Sequence, residues 1–88
     1  MPEDNPQWLS FRELDEAEHC PKGTAFRAFK RLGEALTEDR DFLLLRAQSH
    51  GPDIESLRAQ GRIYPASMNV VLLSREAAER VRADMHDS

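Results

Sequence analysis

KGTAFRAFKRLGEAL, residues 22–36, separates its apolar and its basic side chains onto opposite sides of one helix. At about 100° per residue, Ala25, Phe29, Leu32 and Leu36 fall within roughly 60° of one another, with Phe26 on the flank. Arg27, Lys30, Arg31 and Glu34 face the other way. The two benzyl groups each offer about 150–250 Å² of burial, so the inner side sets how the helix docks. The outer side is left for a partner.

The charge of the chain is unevenly spread around this helix. Over 88 residues the net charge is −4, with 40% hydrophobic and 32% charged content. Residues 1–20 hold six acids (Glu3, Asp4, Glu13, Asp15, Glu16, Glu18) against Arg12 alone, whereas residues 21–33 hold Lys22, Arg27, Lys30 and Arg31 with no acid. Screening at physiological salt acts over about 8 Å, so an anion beside the helix senses this local cationic field more than the acidic total.

Working outward toward the N-terminus, Ser10-Phe11-Arg12-Glu13 is a capping-box pattern: Ser10 accepts an amide hydrogen from Glu13, and Glu13 reaches back. Leu9 and Leu14 complete a hydrophobic staple, which predicts a first helix over Phe11–Ala17 with Phe11, Leu14 and Ala17 inward and Asp15, Glu16 and Glu18 solvated. Met1–Gln7, polar and carrying two prolines, is expected to be a flexible leader, with Trp8 packing inward. Glu18-His19-Cys20-Pro21 breaks the pattern, because proline disfavours helix in the residue before it and suits the first turn of the next.

On the C-terminal side, Thr37–Arg40 is a polar turn and Asp41–Arg46 a short apolar run that reads as a strand. A loop at Ser49–Pro52 precedes a short helix over 53–60, with Ile54 and Leu57 inward and Gly61 ending it. Arg62–Tyr64 and Asn69–Leu73 are β-rich runs around Pro65–Met68 and suggest a hairpin. Ser74 caps a last helix from Arg75 to about Met85, with Ala78, Val81 and Met85 inward, and residues 86–88 are expected to be a frayed, flexible tail. The reading is one α+β domain over residues 8–85.

Two helices joined by so few residues match the spacing of a helix-turn-helix, whose second helix is offered to the DNA major groove. RELDEAEHCPKGTAFRAFKRL, residues 12–32, resembles the helix-turn-helix of bacterial and phage regulators, with Leu14, Cys20, Ala25 and Ala28 at inward positions. It departs from that pattern at Asp15, where a small residue is usual, at Glu18, where an aliphatic is usual, and at His19, where glycine commonly takes the turn. TEDRDFLLL (37–45) and RIYPASMNVVLLS (62–74) are similar to the strand pair of phage antirepressor-type regulatory domains. The resemblance implies a small winged helix-turn-helix domain with a β-hairpin wing and a C-terminal helix.

On that reading, Lys22 and Thr24 are placed for phosphates, Arg27, Lys30 and Arg31 for base edges or phosphates, and Arg62 for phosphates from the wing, with Arg40 and Arg46 as lesser candidates. Arginine is the stronger base reader because its fork binds guanine in two places. One recognition helix covers few base pairs, so specificity calls for a homodimer, with Arg75–Met85 as the dimerising helix, or for a protein partner. The function expected is transcriptional regulation through double-stranded DNA. The alternative is a protein-interaction module, an adaptor or inhibitor, docking through the acidic first or cationic second helix.

Other chemistries have little support in the residues. Cys20 and His19 are adjacent, but His50 and His86 do not complete a metal-ligand spacing, so no metal is expected. Ser10 and Ser74 read as helix caps rather than nucleophiles, and no glycine-rich phosphate loop is present, so neither an enzyme nor a cofactor is expected. A single cysteine, the lack of a recognisable signal peptide and apolar runs far below the ~20 residues that span a bilayer predict a soluble, cytoplasmic protein. Trp8, Tyr64 and the phenylalanines, Phe26 among them, are expected in the core.

Overall fold

A computed structural model describes residues 8–66 and 68–87. In chain order the elements are β1 (Leu9–Ser10), α1 (Phe11–Ala17), α2 (Thr24–Leu32), a 3-10 turn (Gly33–Ala35), β2 (Phe42–Leu45), α3 (Ala47–Ala59), β3 (Val70–Leu73) and α4 (Arg75–Asp87). The three strands form an antiparallel sheet in the order β1-β3-β2, giving a small α+β fold. The leader expected over residues 1–7 lies outside the described residues.

The sheet has a core on each side. Phe42 pairs with Leu73 and Leu43 with Leu72, so alternate residues along β2 and β3 point to opposite faces. Leu73, Val71 and Phe42 join Leu14, Ala25, Ala28, Leu36, Ala77, Ala78, Val81 and Met85 on the face covered by α1, α2 and α4. Val70, Leu72 and Leu45 join Ile54, Leu57 and Ile63 on the face covered by α3 and the segment after it. Burial on both faces explains why FLLL and VVLL are unbroken apolar runs without alternation. Trp8 packs on the second core, as its sequence context predicts.

The capped helix expected over Phe11–Ala17 is borne out, but Ala17, expected inward, is exposed because it lies on the last turn beyond the packed stripe of Phe11 and Leu14. The Ser10 hydroxyl accepts the Glu13 amide hydrogen at 3.1 Å, and the Ser10 amide donates to the Glu13 carboxylate at 2.9 Å. At the other end His19 takes a left-handed conformation, φ 57°. The Cys20 amide donates to the Asp15 carbonyl at 2.8 Å and the His19 amide to that of Glu16 at 3.2 Å, which closes a Schellman motif. Gly61 does the same after α3 at φ 73°. There the Arg62 and Gly61 amides donate to the carbonyls of Leu57 and Arg58, both at 3.0 Å.

Asp15 corrects the sequence reading most. Expected in solvent, it is 1% exposed. Its carboxylate accepts the Gly23 amide at 3.1 Å, the Ala25 amide at 2.8 Å and the Tyr64 hydroxyl at 2.6 Å. It thereby caps α2 from the neighbouring helix, which is why α2 begins at Thr24 and Lys22 stays in the turn. The expected helix over 22–36 is shortened at its far end too, where Gly33–Ala35 tightens into the 3-10 turn.

Among the described residues the expected hairpin is absent. Residues 62–64 form no strand, and β3 pairs with β2 and β1. The polar groups of 62–64 are committed to α1 and its lead-in. The Ser10 hydroxyl donates to the Arg62 carbonyl, the Arg12 guanidinium to that of Ile63 at 2.9 Å, and the Tyr64 hydroxyl binds Asp15. A run with strand propensity is overridden by these long-range bonds. The loop expected at 49–52 is likewise taken into α3, with a break at His50 (φ −128°, ψ 31°) and Pro52 at the start of the following turn, where it has no amide to lose. Ile54 and Leu57 are buried as expected. α4 runs on through Asp87, beyond the end expected at Met85, and His86 binds the Glu18 carboxylate rather than fraying.

Two stability measurements test this account. Tyr64→Phe should cost about 1.5–3 kcal/mol in urea unfolding, the range for a hydrogen bond to a charged group. A neutral effect would mean that the Asp15–Tyr64 bond does not hold the 62–64 segment. His19→Gly should stabilise by about 0.5–1 kcal/mol, because glycine adopts the left-handed C′ position without a Cβ penalty.

Candidate nucleic-acid interface

α2 presents its surface in a defined order. Ala25 and Ala28 are fully buried, Phe29 and Leu32 are half-buried, and Phe26, Arg27, Lys30 and Arg31 are exposed. The outward face therefore carries a phenyl ring among cations. Phe26, expected in the core, is 48% exposed and rests edge-on against Phe11, with ring centroids 5.8 Å apart and planes at 70°. The Lys30 ammonium lies 5.9 Å from the centroid of the Phe26 ring.

The six residues that the sequence proposes for DNA contact separate into two groups. Lys22, Arg27 and Lys30 are exposed and, among the described residues, pair with no carboxylate. The Lys22 ammonium sits 5.0 Å from the centre of the Tyr64 ring. The Arg27 guanidinium lies back over Gly23, where a Cβ would come within 3.2 Å of Nη1, and Gly23 itself holds φ 94°. The positive φ is what calls for glycine there, since the exposed Arg27 fork can shift by a few tenths of an ångström.

Thr24, Arg31 and Arg62 each have a polar partner within the chain, although Arg31 stays exposed. The Thr24 hydroxyl donates to the Pro21 carbonyl at 2.7 Å, so its proton is not on offer to a phosphate. Arg31 forms an ion pair with Asp84 of α4, its Nε 2.7 Å from Oδ1. Arg62, expected on a wing, grips both Glu13 oxygens at 3.1 Å and donates to the Trp8 carbonyl at 2.6 Å. For Arg31 and Arg62 the partner is one that sequence spacing does not reveal: Asp84 lies on another helix, and Glu13 is shared with the α1 cap. Arg40 and Arg46 are exposed, in the turn before β2 and at the head of α3.

The positive end of α2 is already neutralised, since Asp15 accepts the Gly23 and Ala25 amide hydrogens. An anion must therefore be held by side chains rather than by the helix terminus. Beside the turn, Glu18 contacts Arg82 of α4 at 3.0 Å and also binds His86, which anchors α4 to the end of α1. The apolar stripe of α4, Ala77, Ala78, Val81 and Met85, is buried in the first core. The face that the sequence offers for dimerisation is thus used within the chain.

Among the described residues, no group of three or more His, Cys, Asp or Glu side chains could hold a metal ion, and no helix is long and apolar enough to cross a membrane. Cys20 is half-buried against the first core. No protein-family model, no curated protein and no solved structure gives a significant match to the chain.

Two ionisable groups limit stability at the extremes of pH. The Tyr64 phenol is pushed up from its ordinary value by burial first and then by its bond to the Asp15 carboxylate. The folded state holds that proton more tightly than the unfolded one, so its contribution is complete below about pH 10 and is lost as pH rises further. The Glu18 carboxyl is held below its usual value chiefly by its hydrogen bond to His86, with Arg82 adding to the effect. Its contribution is present above about pH 4.5 and is lost as pH falls through the lowered value. Urea midpoints measured across pH should fall on both limbs. Tyr64→Phe should flatten the alkaline limb and His86→Ala the acid one, and a variant that leaves its limb unchanged would contradict that assignment.

Proposed function

We propose that the protein is a regulator that binds double-stranded DNA, with α2 entering the major groove and α1 crossing the backbone. The observation that carries this reading is the distribution of unpaired positive charge. In an acidic chain, Arg12, Arg31, Arg58, Arg62 and Arg82 all form ion pairs with carboxylates. Among the described residues Lys22, Arg27 and Lys30 do not, and they share α2 and the turn that leads into it. Arg40, Arg46, Arg75 and Arg80 also form no ion pair among the described residues but lie on other elements. Unpaired cations on one exposed helix face are the electrostatic footprint of a phosphate-rich partner.

In this reading the fold is a variant of the winged helix-turn-helix. β1, β3 and β2 form its sheet, and the wing is the whole connection from Arg46 to Asn69, including α3, in place of a tight hairpin. Base reading falls to Arg27 and Lys30, and Lys22 tracks the backbone. With the α4 stripe buried, a second half-site would be reached through another surface or through a partner protein.

An exposed phenyl ring within a cationic face also suits an acidic protein partner, the second reading. Salt separates the two. Binding to duplex DNA through Lys22, Arg27 and Lys30 should give a log K against log [salt] slope of about −2.7. Lys22→Ala should reduce that slope by about 1 and weaken all sequences alike, while Arg27→Ala should cost about 1–3 kcal/mol on the preferred site alone. Absence of DNA binding, or a flat salt response, would favour the protein partner.

A further inference from the structure

We propose that Phe26 is a base-reading residue whose ring meets the 5-methyl group of a thymine in the major groove, so that the preferred site contains thymine beside the bases met by Arg27 and Lys30. The inference rests on the DNA reading above and gives that site a chemical preference.

Phe26 is the third residue of α2, which begins at Thr24. In a helix laid into the major groove, residues of the first turn are those that contact base edges. The ring is also held in place from behind. Phe11 meets it edge-on, Phe29 lies 5.3 Å from Phe11, and Phe42 of the sheet lies 5.0 Å from Phe29, so a row of aromatic rings runs from the surface into the core. The ring is thus anchored along one edge while almost half of the residue remains open to solvent. Of the large hydrophobic residues exposed among those described, only Phe26 and Met68 qualify, and Met68 lies in the loop before β3.

A phenyl ring cannot hydrogen-bond a phosphate or a base edge. The major groove offers it one apolar feature, the thymine methyl, whereas the other bases present donors and acceptors that the ring would desolvate without replacing. Arg27 and Lys30 beside it supply the attraction that brings the groove within reach, and an apolar partner alone would leave those cations unmatched. The combination of charge and fixed ring therefore favours a thymine-bearing duplex.

The test is selection of binding sites from a random duplex pool, followed by anisotropy titration of the selected duplex and of the same duplex with deoxyuridine in place of every thymine. Deoxyuridine differs from thymidine only in lacking the methyl group. Wild-type affinity should fall about fourfold, the value of one buried methyl-sized group at ~0.8 kcal/mol. Phe26→Ala should bind both duplexes alike while keeping the salt slope, and Phe26→Leu, which retains an apolar tip, should keep part of the preference. If Phe26→Ala fails to fold, the wild-type comparison and Phe26→Leu decide.

Equal wild-type affinity for the two duplexes, a selected site without thymine, or an unchanged preference in Phe26→Ala would each overturn the inference. The ring would then belong to a protein contact. A selection that enriches no duplex at all would instead remove the DNA reading on which the inference rests, and the two failures are therefore distinct.

Discussion

One buried carboxylate sets the geometry on which the rest of the structure depends. Asp15 brings a charge into the interior at the junction of α1, α2 and the segment after α3, and three donors converge on it. A buried carboxylate with fewer donors would be left with unsatisfied oxygens away from water, so the three contacts are mutually dependent. Through the Gly23 and Ala25 amides the carboxylate fixes where α2 starts, and hence which residues of α2 face outward. Through Tyr64 it draws in a segment that would otherwise be free to extend β3 into a hairpin. The same residue thus governs the aim of the exposed helix face and the path of the segment that packs beside its start.

The parts of the fold that were legible in the sequence are those whose signals are short in range. Ser10 and Glu13 are three residues apart and define α1 by themselves, and the apolar runs that became β2 and β3 needed only their own composition. Ser74 caps α4 by accepting the Ala77 amide hydrogen at 3.1 Å, again a local bond. What could not be read is what depends on distant partners. Asp15 finds one of its donors 49 positions away, and Arg62 finds Glu13 at the same separation. The departure at Asp15 from the helix-turn-helix pattern is the visible trace of that network, though nothing near it in sequence names Tyr64. Phe26 falls at the edge of the apolar arc, where a few degrees of docking decide between core and solvent.

The candidate site divides along the same line. Arg27 and Lys30 were legible because helical periodicity alone turns them outward. Arg31 and Arg62 were not, because α4 and the α1 cap supply their carboxylates. Exposed ion pairs contribute little to stability, so the larger effect of these contacts is on the electrostatic map. Among the described residues they neutralise five arginines and leave Lys22, Arg27 and Lys30 uncompensated beside one another on α2 and its lead-in turn, with Arg40, Arg46, Arg75 and Arg80 scattered on other elements. The acidic total of the chain and a local cationic face are therefore two aspects of one arrangement: an excess of acids is spent on arginines elsewhere.

A sheet buried on both faces insulates as well as joins. The second core, built from Leu45, Ile54, Leu57, Ile63, Val70 and Leu72, contains no residue of α2. Most of α3 and its flanking loop can therefore vary in length, surface and charge while the exposed helix keeps its orientation. The freedom ends at Arg62–Tyr64, where the polar bonds cross to α1. Descendants of such a chain can diversify what hangs from one side of the sheet while conserving what is displayed from the other, with Tyr64 as the boundary between the two regimes.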